Sequence, residues 1–565
     1  MNKSVWIPQP VSEEADFLAE NLGLPLPVAR ILVNREVRDL ESARRFLYGT
    51  LNELYDPYRM KGMNDAVRRL RRAAAEKENV LIFGDYDVDG ILSVVILTRA
   101  LESLGANVKQ FIPDRLRDGY GIKPEYTRTV TENEATLVIS VDCGIKAVDF
   151  VRKAREIGTD VIITDHHQPG PELPDAVAVL NPVLEDSGYP DRNLAGIGVV
   201  FKLVQALLEG AGRSSQVPHY LKLVSIGTVA DVVRLRDENR LFVKFGLKAL
   251  SDVRNPGLKS LLSVSRIDGR EVGVGDVGFR IGPRINAAGR LGRADLPLQL
   301  FTCESEEKCL PLARELDRMN GERQAVEKRI LDQALKLIEE RSLDSRFKLL
   351  ILGSEDWHRG VIGIVASKLK DRFNRPVLLF ACSDGRAYGS GRSIREFPLI
   401  DCLEDHQSYL LNYGGHPMAV GCEMECARMA DFKQAVNAYV EDRILPEHMK
   451  RKLRIDTTIR FPEIDAPFLE GLERLSPFGL GNPRPIFLTE GAEIVDEPRV
   501  LQKKHLKILL RQEGRVFEAL GWSRSEWAAS LKSGDRLDVV YFLQRSEYMG
   551  ERRLSLNLAD IRPSS

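Results

Sequence analysis

Between residues 80 and 180 the chain repeats one pattern five times: a short, mainly apolar run followed by a longer amphipathic segment. The runs fall at 80–83, 108–112, 137–141, 161–164 and 177–180. Apolar runs of this length suit strands buried on both faces. Their alternation with amphipathic segments predicts βαβ units and a doubly wound parallel sheet, the core of an α/β domain spanning 76–245.

The residues that follow these runs are as informative as the runs themselves. After 80–83 come Asp85, Asp87 and Asp89, bracketed by Gly84 and Gly90, and helical periodicity resumes over 91–104. If the strand extends through them, the i, i+2, i+4 spacing places all three carboxylates on one side. Such anions repel unless a cation sits among them, and oxygen ligands suit Mg²⁺ or Mn²⁺. A solvated acidic turn with Asp89 as helix N-cap fits the same residues. Two further runs end comparably, 137–141 in Asp142-Cys143-Gly144 and 161–164 in Asp165-His166-His167. In a parallel sheet these ends share one edge, where open α/β sheets bind ligands. Asp231 stands in the apolar stretch IGTVADVV, and a carboxylate buried there needs a partner. Adjacent histidines alone also fit a capped turn. Three clusters on one edge favour a pair of Mn²⁺ or Mg²⁺ ions.

With 565 residues, 29% charged and 43% apolar, the chain reads as a soluble protein of several domains. Its net charge of −1 excludes a bulk basic signal for nucleic acid, leaving local patches. No apolar run of about 18 residues occurs, and the N-terminus lacks an apolar h-region. Seven cysteines without a dense framework fit a reducing compartment. The expectation is a cytoplasmic protein with no membrane association.

Residues 1–75 read as a helical appendage whose arginines at 68–72 form a solvated face. Residues 246–345 are a linker region. There Arg280, Arg284, Arg290 and Arg293 lie among glycines, either paired with acidic neighbours in a loop or free to fork onto phosphate oxygens. A long connecting helix over 306–341 could span ~50 Å. Residues 346–448 form a second, smaller α/β domain, in which Ser390, Arg392 and Ser393 offer a cation and two hydroxyls to phosphates. Gly414-Gly415-His416 leaves an imidazole open to approach. Cys402, Cys422 and Cys426 read as buried free cysteines rather than as zinc ligands together with His406 and His416, because paired C-x2-C hooks are missing. Residues 449–565 break into short alternating segments, a small β-barrel. In it Lys503, Lys504, His505, Lys507 and Arg511 stand near Phe517, Trp522 and Tyr541, which could stack on bases or fill the barrel core.

The segments GDYDVDG, VDCG, TDHH and GTVADV, in that order on those strand ends, resemble the four motifs of the DHH phosphoesterase superfamily. Further segments, LAGIGVVFKL, IGPRINAAGRL, GSGRSI, YGGHPMAVG and PFGLGNP, resemble its branch of bacterial single-strand-specific 5′ exonucleases, from about residue 45 onward. The resemblance implies a DHH domain, a DHH-associated domain and a C-terminal OB-fold. It implies that Asp85, Asp87, Asp89, Asp142, His166 and Asp231 hold two ions, that His167 faces the scissile phosphate or the second metal, and that Asp165 orients an imidazole. It places His416 opposite and makes Arg284 and Arg290 phosphate contacts. The implied activity is metal-dependent 5′-to-3′ hydrolysis of single-stranded DNA to mononucleotides in repair and recombination, with a helicase and a single-strand-binding protein as partners. Other superfamily members cleave oligoribonucleotides, cyclic dinucleotides or pyrophosphate, and the barrel argues against such short substrates. A non-catalytic strand-binding protein would require eroded ligands, and none is missing.

Overall fold

The five apolar runs form five parallel strands: β1 (Asn79–Gly84), β2 (Asn107–Phe111), β3 (Leu137–Val141), β4 (Asp160–Thr164) and β5 (Ala178–Leu180). Their order is β2-β1-β3-β4-β5, so the winding reverses between β1 and β3, the switch point where such sheets open a crevice. The computed structural model describes residues 4–114, 121–267, 269–548 and 551–564. The chain divides into two units, one of Tyr55–Val233 and Phe245–Lys450, the other of Met1–Leu54, Arg234–Lys244 and Arg451–Ser565. Among the described residues no helix is long and apolar enough to cross a membrane.

In the first unit, Val80, Leu81, Ile82 and Phe83 of β1 are all buried, each side chain contributing about 1.5–3 kcal/mol. Helix α1 (Val88–Ser103) is buried on nearly every side, because it packs between the sheet and helices α2 (Gly196–Glu209) and α3 (Leu221–Ala230). That explains a sequence apolar all round rather than along one stripe. The extended acidic triad is corrected here. The strand stops at Gly84, Asp87 is the N-cap of α1, accepting from the Gly90 N–H at 3.1 Å, and Asp89 lies in the first helical turn. The capping residue is therefore Asp87 and not Asp89.

The arginine-rich segment is helical rather than a loop. A five-residue π-helical turn, Val277–Ile281, runs into α4 (Gly282–Arg290), whose Pro283 sits in the first turn, where no donor is lost. The long helix α5 spans Glu306–Glu340, 35 residues, or ~50 Å. It leads into a mixed sheet of β6 (Leu350–Ser354), β7 (Val377–Ser383), β8 (Arg386–Arg392), β9 (Asn412–His416) and β10 (Ala419–Glu425), ordered β9-β10-β8-β7-β6. Helix α6 (Ile362–Phe373) packs on this sheet. Cys402 and Cys422 are buried in its core with Phe432 and Leu399.

In the second unit, strands Phe487–Ile494, His505–Gln512, Arg515–Gly521, Arg536–Tyr548 and Glu551–Pro563 close into a barrel, since the first pairs with both the second and the fourth. The N-terminal helices Glu13–Leu22, Leu26–Asn34 and Leu40–Tyr48 share one core with it, Leu18, Val28 and Leu32 joining Phe468, Phe487 and Tyr541. Strand Val5–Pro8 pairs in parallel with Lys452–Ile455. A buried ion pair, Arg35 to Asp456 at 2.7 Å, ties the two ends of the chain together.

Candidate metal centre

Register places the centre. Gly84, Val141 and Thr164 are mutual partners across β1, β3 and β4, so the next residues, Asp85, Asp142 and Asp165, emerge side by side at the switch point. Asp142 takes a left-handed conformation at φ 59°, which Asp tolerates better than most residues, while its N–H bonds to the Thr164 carbonyl at 2.9 Å. Asp231 caps the C-terminus of α3. His166 Nε2 lies 3.2 Å from Asp142 Oδ1 and 3.7 Å from Asp231 Oδ2.

Three overlapping groups present one donor atom per residue, all within 4.8 Å of one another: Asp85, Asp87 and Asp142; Asp142, His166 and His167; Asp89, His166 and Asp231. Asp142 Oδ1, His166 Nε2 and Asp231 Oδ2 are buried without a hydrogen bond among the described residues. Orphaned acceptors at this density are costly in a folded protein. Burial, and then the neighbouring carboxylates, push the Asp89 and Asp142 carboxyls well above their usual range, and burial raises Asp231. Burial alone would depress His166, but the Asp231 and Asp89 charges outweigh it and raise its pKa. Five carboxylates and two imidazoles, three of them with a buried unpaired atom, fit hard divalent cations.

Neighbouring groups hold these ligands in place. Asp165 is fully buried. Burial would raise its carboxyl, but the His167 imidazole bonded to it, with further donors, keeps it lowered. Its Oδ1 lies 2.7 Å from His167 Nδ1 and accepts the His166 and His167 N–H groups, while Oδ2 accepts from the Ile145 N–H. A carboxylate bonded to one ring nitrogen in this way is the arrangement typical of metal-ligating imidazoles. Two contributors escaped the sequence reading. The N-terminus of α2 donates to Asp89 from the N–H groups of Gly196, at 2.9 Å, and Ile197, at 2.6 Å, a position that favours negative charge. A Cβ on Gly196 would meet Asp142 Oδ1 at 2.4 Å, so the glycine in LAGIG was the available signal. Buried Asn181 donates to the His167 carbonyl at 2.9 Å.

The other expected contacts divide. His416 ends β9 within electrostatic reach of the histidine turn: partial burial, and then His167 and Lys146, lower its pKa. Ser390 and Arg392 share one face of β8, over Gly363 at the start of α6, and the Arg392 Nη1 donates to Ser390 Oγ at 3.4 Å. Arg290 donates to the Gly360 carbonyl at 2.9 Å, while Gly289 lets α4 approach the Tyr86 carbonyl so closely that a Cβ would stand 2.7 Å away. Arg284 is corrected: its Nε and Nη2 bind Asp317 Oδ1 at 2.9 and 2.8 Å, so it pairs with an acid on α5. Ser393 is corrected too, because it is buried and its hydroxyl donates to the Phe397 carbonyl. In the barrel unit, Lys503 and Lys504 occupy the turn before His505, and Lys507 pairs with Glu518 at 2.5 Å. Trp522 is half exposed with its ring against His505. Tyr541 belongs to the core, its hydroxyl bonded to Thr489, so it offers no stacking face.

A doubly wound sheet whose strand ends gather carboxylates and histidines for hard divalent cations defines a DHH-type metal-dependent phosphoesterase. Residues 79–228 match the DHH family N-terminal domain, 346–442 the DHHA1 domain and 455–560 the RecJ OB domain. The chain belongs to the RecJ family of exonucleases. It is 36% identical to the single-stranded-DNA-specific exonuclease RecJ of Bacillus subtilis strain 168, over 99% of this chain and 71% of that protein. The crystal structure of RecJ in complex with Mn²⁺ from Thermus thermophilus superposes with a TM-score of 0.85 at 31% identity, covering 99% of this chain and 80% of that one. The Mg²⁺ complex from the same organism gives 0.77 at 29% identity, covering 99% and 79%.

Proposed function

We propose that the chain hydrolyses single-stranded DNA from its 5′ end to mononucleotides, using two Mn²⁺ or Mg²⁺ ions. The observation that carries this is the convergence of Asp85, Asp87, Asp89, Asp142, His166, His167 and Asp231 at the switch-point crevice, where Asp142 Oδ1, His166 Nε2 and Asp231 Oδ2 are buried without a hydrogen bond among the described residues. Such ions, when bound, lower the pKa of water to supply a hydroxide and stabilise the leaving oxygen. Asp142 and His166 each belong to two of the three donor groups and would help to hold both ions. Asp165 keeps the proton of His167 on Nδ1 and so presents Nε2 towards the scissile phosphate. His416 approaches from the smaller α/β domain and, with Arg290, Ser390 and Arg392, offsets phosphate charge. Arg284 serves instead to hold α4 on α5. Lys503 and Lys504, with the half-exposed Trp522, give the barrel a strand-binding edge.

The five parts of the chain then divide the work: helical support in 1–75, chemistry in 76–245, connection in 246–345, phosphate handling in 346–448 and strand capture in 449–565. The enzyme works in the cytoplasm in repair and recombination, alongside a helicase and a single-strand-binding protein. The test is digestion of 5′-labelled and 3′-labelled single strands and of blunt duplex, with Mn²⁺ or with chelator. Metal-dependent mononucleotide release from the 5′ label, absent on duplex, is expected. Intact long strands alongside cleaved short RNA or cyclic dinucleotides would refute it.

A further inference from the structure

Phe279 is 84% exposed, more than any other large apolar side chain among the described residues. An isolated exposed aliphatic needs no explanation, but a phenyl ring in this position forgoes nearly all the burial such a ring normally gains. The backbone around it is unusual as well. Phe279 is the middle residue of the π-helical turn Val277–Ile281, whose ends, Val277 and Ile281, are both fully buried. π-Turns recur at functional sites, and here the two buried ends anchor the turn while its middle points away from the core.

The turn lies beside the metal centre. A Cβ on Gly282, the next residue, would stand 3.7 Å from Ala230 Cβ and 4.0 Å from Val88 Cγ2. Ala230 precedes Asp231, and Val88 stands between Asp87 and Asp89. Phe279 is three residues from Gly282, roughly 5 Å of helical rise. Beside it, the exposed Arg280 donates to the Arg266 carbonyl at 3.2 Å and lies 3.7 Å from Asp276. A flat apolar face next to a guanidinium, on a turn that packs beside the segments carrying Asp87, Asp89 and Asp231, is the pairing that holds single strands without regard to sequence, the ring taking a base and the cation a phosphate.

We infer that Phe279 stacks on a base of the entering single strand and sets the position from which the terminal phosphodiester reaches the metal centre. This rests on the single-strand reading above. The test uses the full chain in chelator, where strands stay intact, and 5′-phosphorylated single strands carrying 2-aminopurine or an abasic nucleotide at successive positions from the 5′ end.

Wild type should quench 2-aminopurine at one or two positions, and an abasic nucleotide there should weaken binding about ten-fold. Phe279→Ala and Phe279→Leu should lose both the quench and the discrimination, while Phe279→Trp restores them. The leucine variant keeps apolar bulk, so a folded Leu variant without base dependence supports stacking even if the alanine variant is unstable. A folded Phe279→Leu that still distinguishes base from abasic site as wild type does would overturn the inference, as would unchanged quenching in Phe279→Ala. If wild type with Mn²⁺ cuts no single strand while base dependence at Phe279 persists, the nuclease reading fails and the stacking role stands.

Discussion

His167 Nδ1 lies 2.7 Å from Asp165 Oδ1, and the same carboxylate oxygen accepts the backbone N–H groups of His166 and His167. One fully buried side chain therefore fixes the tautomer of His167 and the turn carrying both imidazoles. Asp165→Asn replaces an acceptor with a group that must point a donor either at these hydrogens or at the Ile145 N–H, which Oδ2 accepts. Activity should fall 10- to 100-fold, the usual range for a partner that orients a metal-binding histidine, and the melting temperature should fall as well, because the opposed donors are buried. Steady-state cleavage across a Mn²⁺ titration, beside a melting curve, checks this.

Asp142→Asn should abolish cleavage while leaving strand binding largely intact, since the residue serves two of the three donor groups. It should also stabilise the metal-free protein. The folded pKa of Asp142 is raised by burial and by neighbouring carboxylates, so the ionised group opposes folding at neutral pH, where the unfolded chain loses its proton more readily. Metal-free melting should occur at a higher temperature than in wild type, and the further rise on adding Mn²⁺ should shrink. A variant no more stable than wild type without metal would contradict this account.

Gly196→Ala tests the support given by α2. The added methyl would meet Asp142 Oδ1 at 2.4 Å while the same residue donates to Asp89. Mn²⁺ affinity measured calorimetrically should drop 10- to 100-fold, although no ligand has been changed.

Arg69 grips Glu78 with two bonds, at 2.9 and 2.7 Å, and also binds Asp160. Burial would raise the Glu78 carboxyl, but Arg69 and Thr136 outweigh it and hold its pKa below the ordinary 4.5. Its contribution to stability is thus present above about pH 4.5 and disappears as pH falls through the lower folded value. Denaturant titrations at pH 7 should show Glu78→Gln to be less stable than wild type, and the gap should close in acid.

In the barrel unit, Asp456 receives Arg35 at 2.7 Å and the Ile486 N–H at 3.0 Å, with both charged side chains buried. Asp456→Ala leaves a guanidinium buried without its counter-ion, which should cost about 3–5 kcal/mol. Chemical denaturation followed by Trp fluorescence would measure it.

The parts of this molecule that follow from local chemistry were legible in the sequence. The strand runs, the long helix and the acidic and histidine residues at strand ends depend on patterns a few residues long. What escaped depends on distant partners. Whether Arg284 meets a phosphate or Asp317 is decided by a helix 33 residues further on. Asp89 is held by N–H groups 107 and 108 residues away. Ser393 looks like its neighbours Ser390 and Arg392 until the Phe397 carbonyl claims its hydroxyl. The extended triad failed for a local reason: Asp87 is as good a helix cap as it is a strand residue, and the Gly90 N–H settled the competition.

The partnership of Gly84, Val141 and Thr164 makes the sheet a ruler for the centre. Lengthening β1, β3 or β4 by one residue would advance the following aspartate by about 3.3 Å and turn it to the opposite face. That step is as large as the 3.2 Å separating His166 from Asp142. The strands must keep their length for the enzyme to keep its ions, and so must the first residues beyond them, which carry Asp85, Asp87 and Asp89, Asp142, and Asp165 to His167.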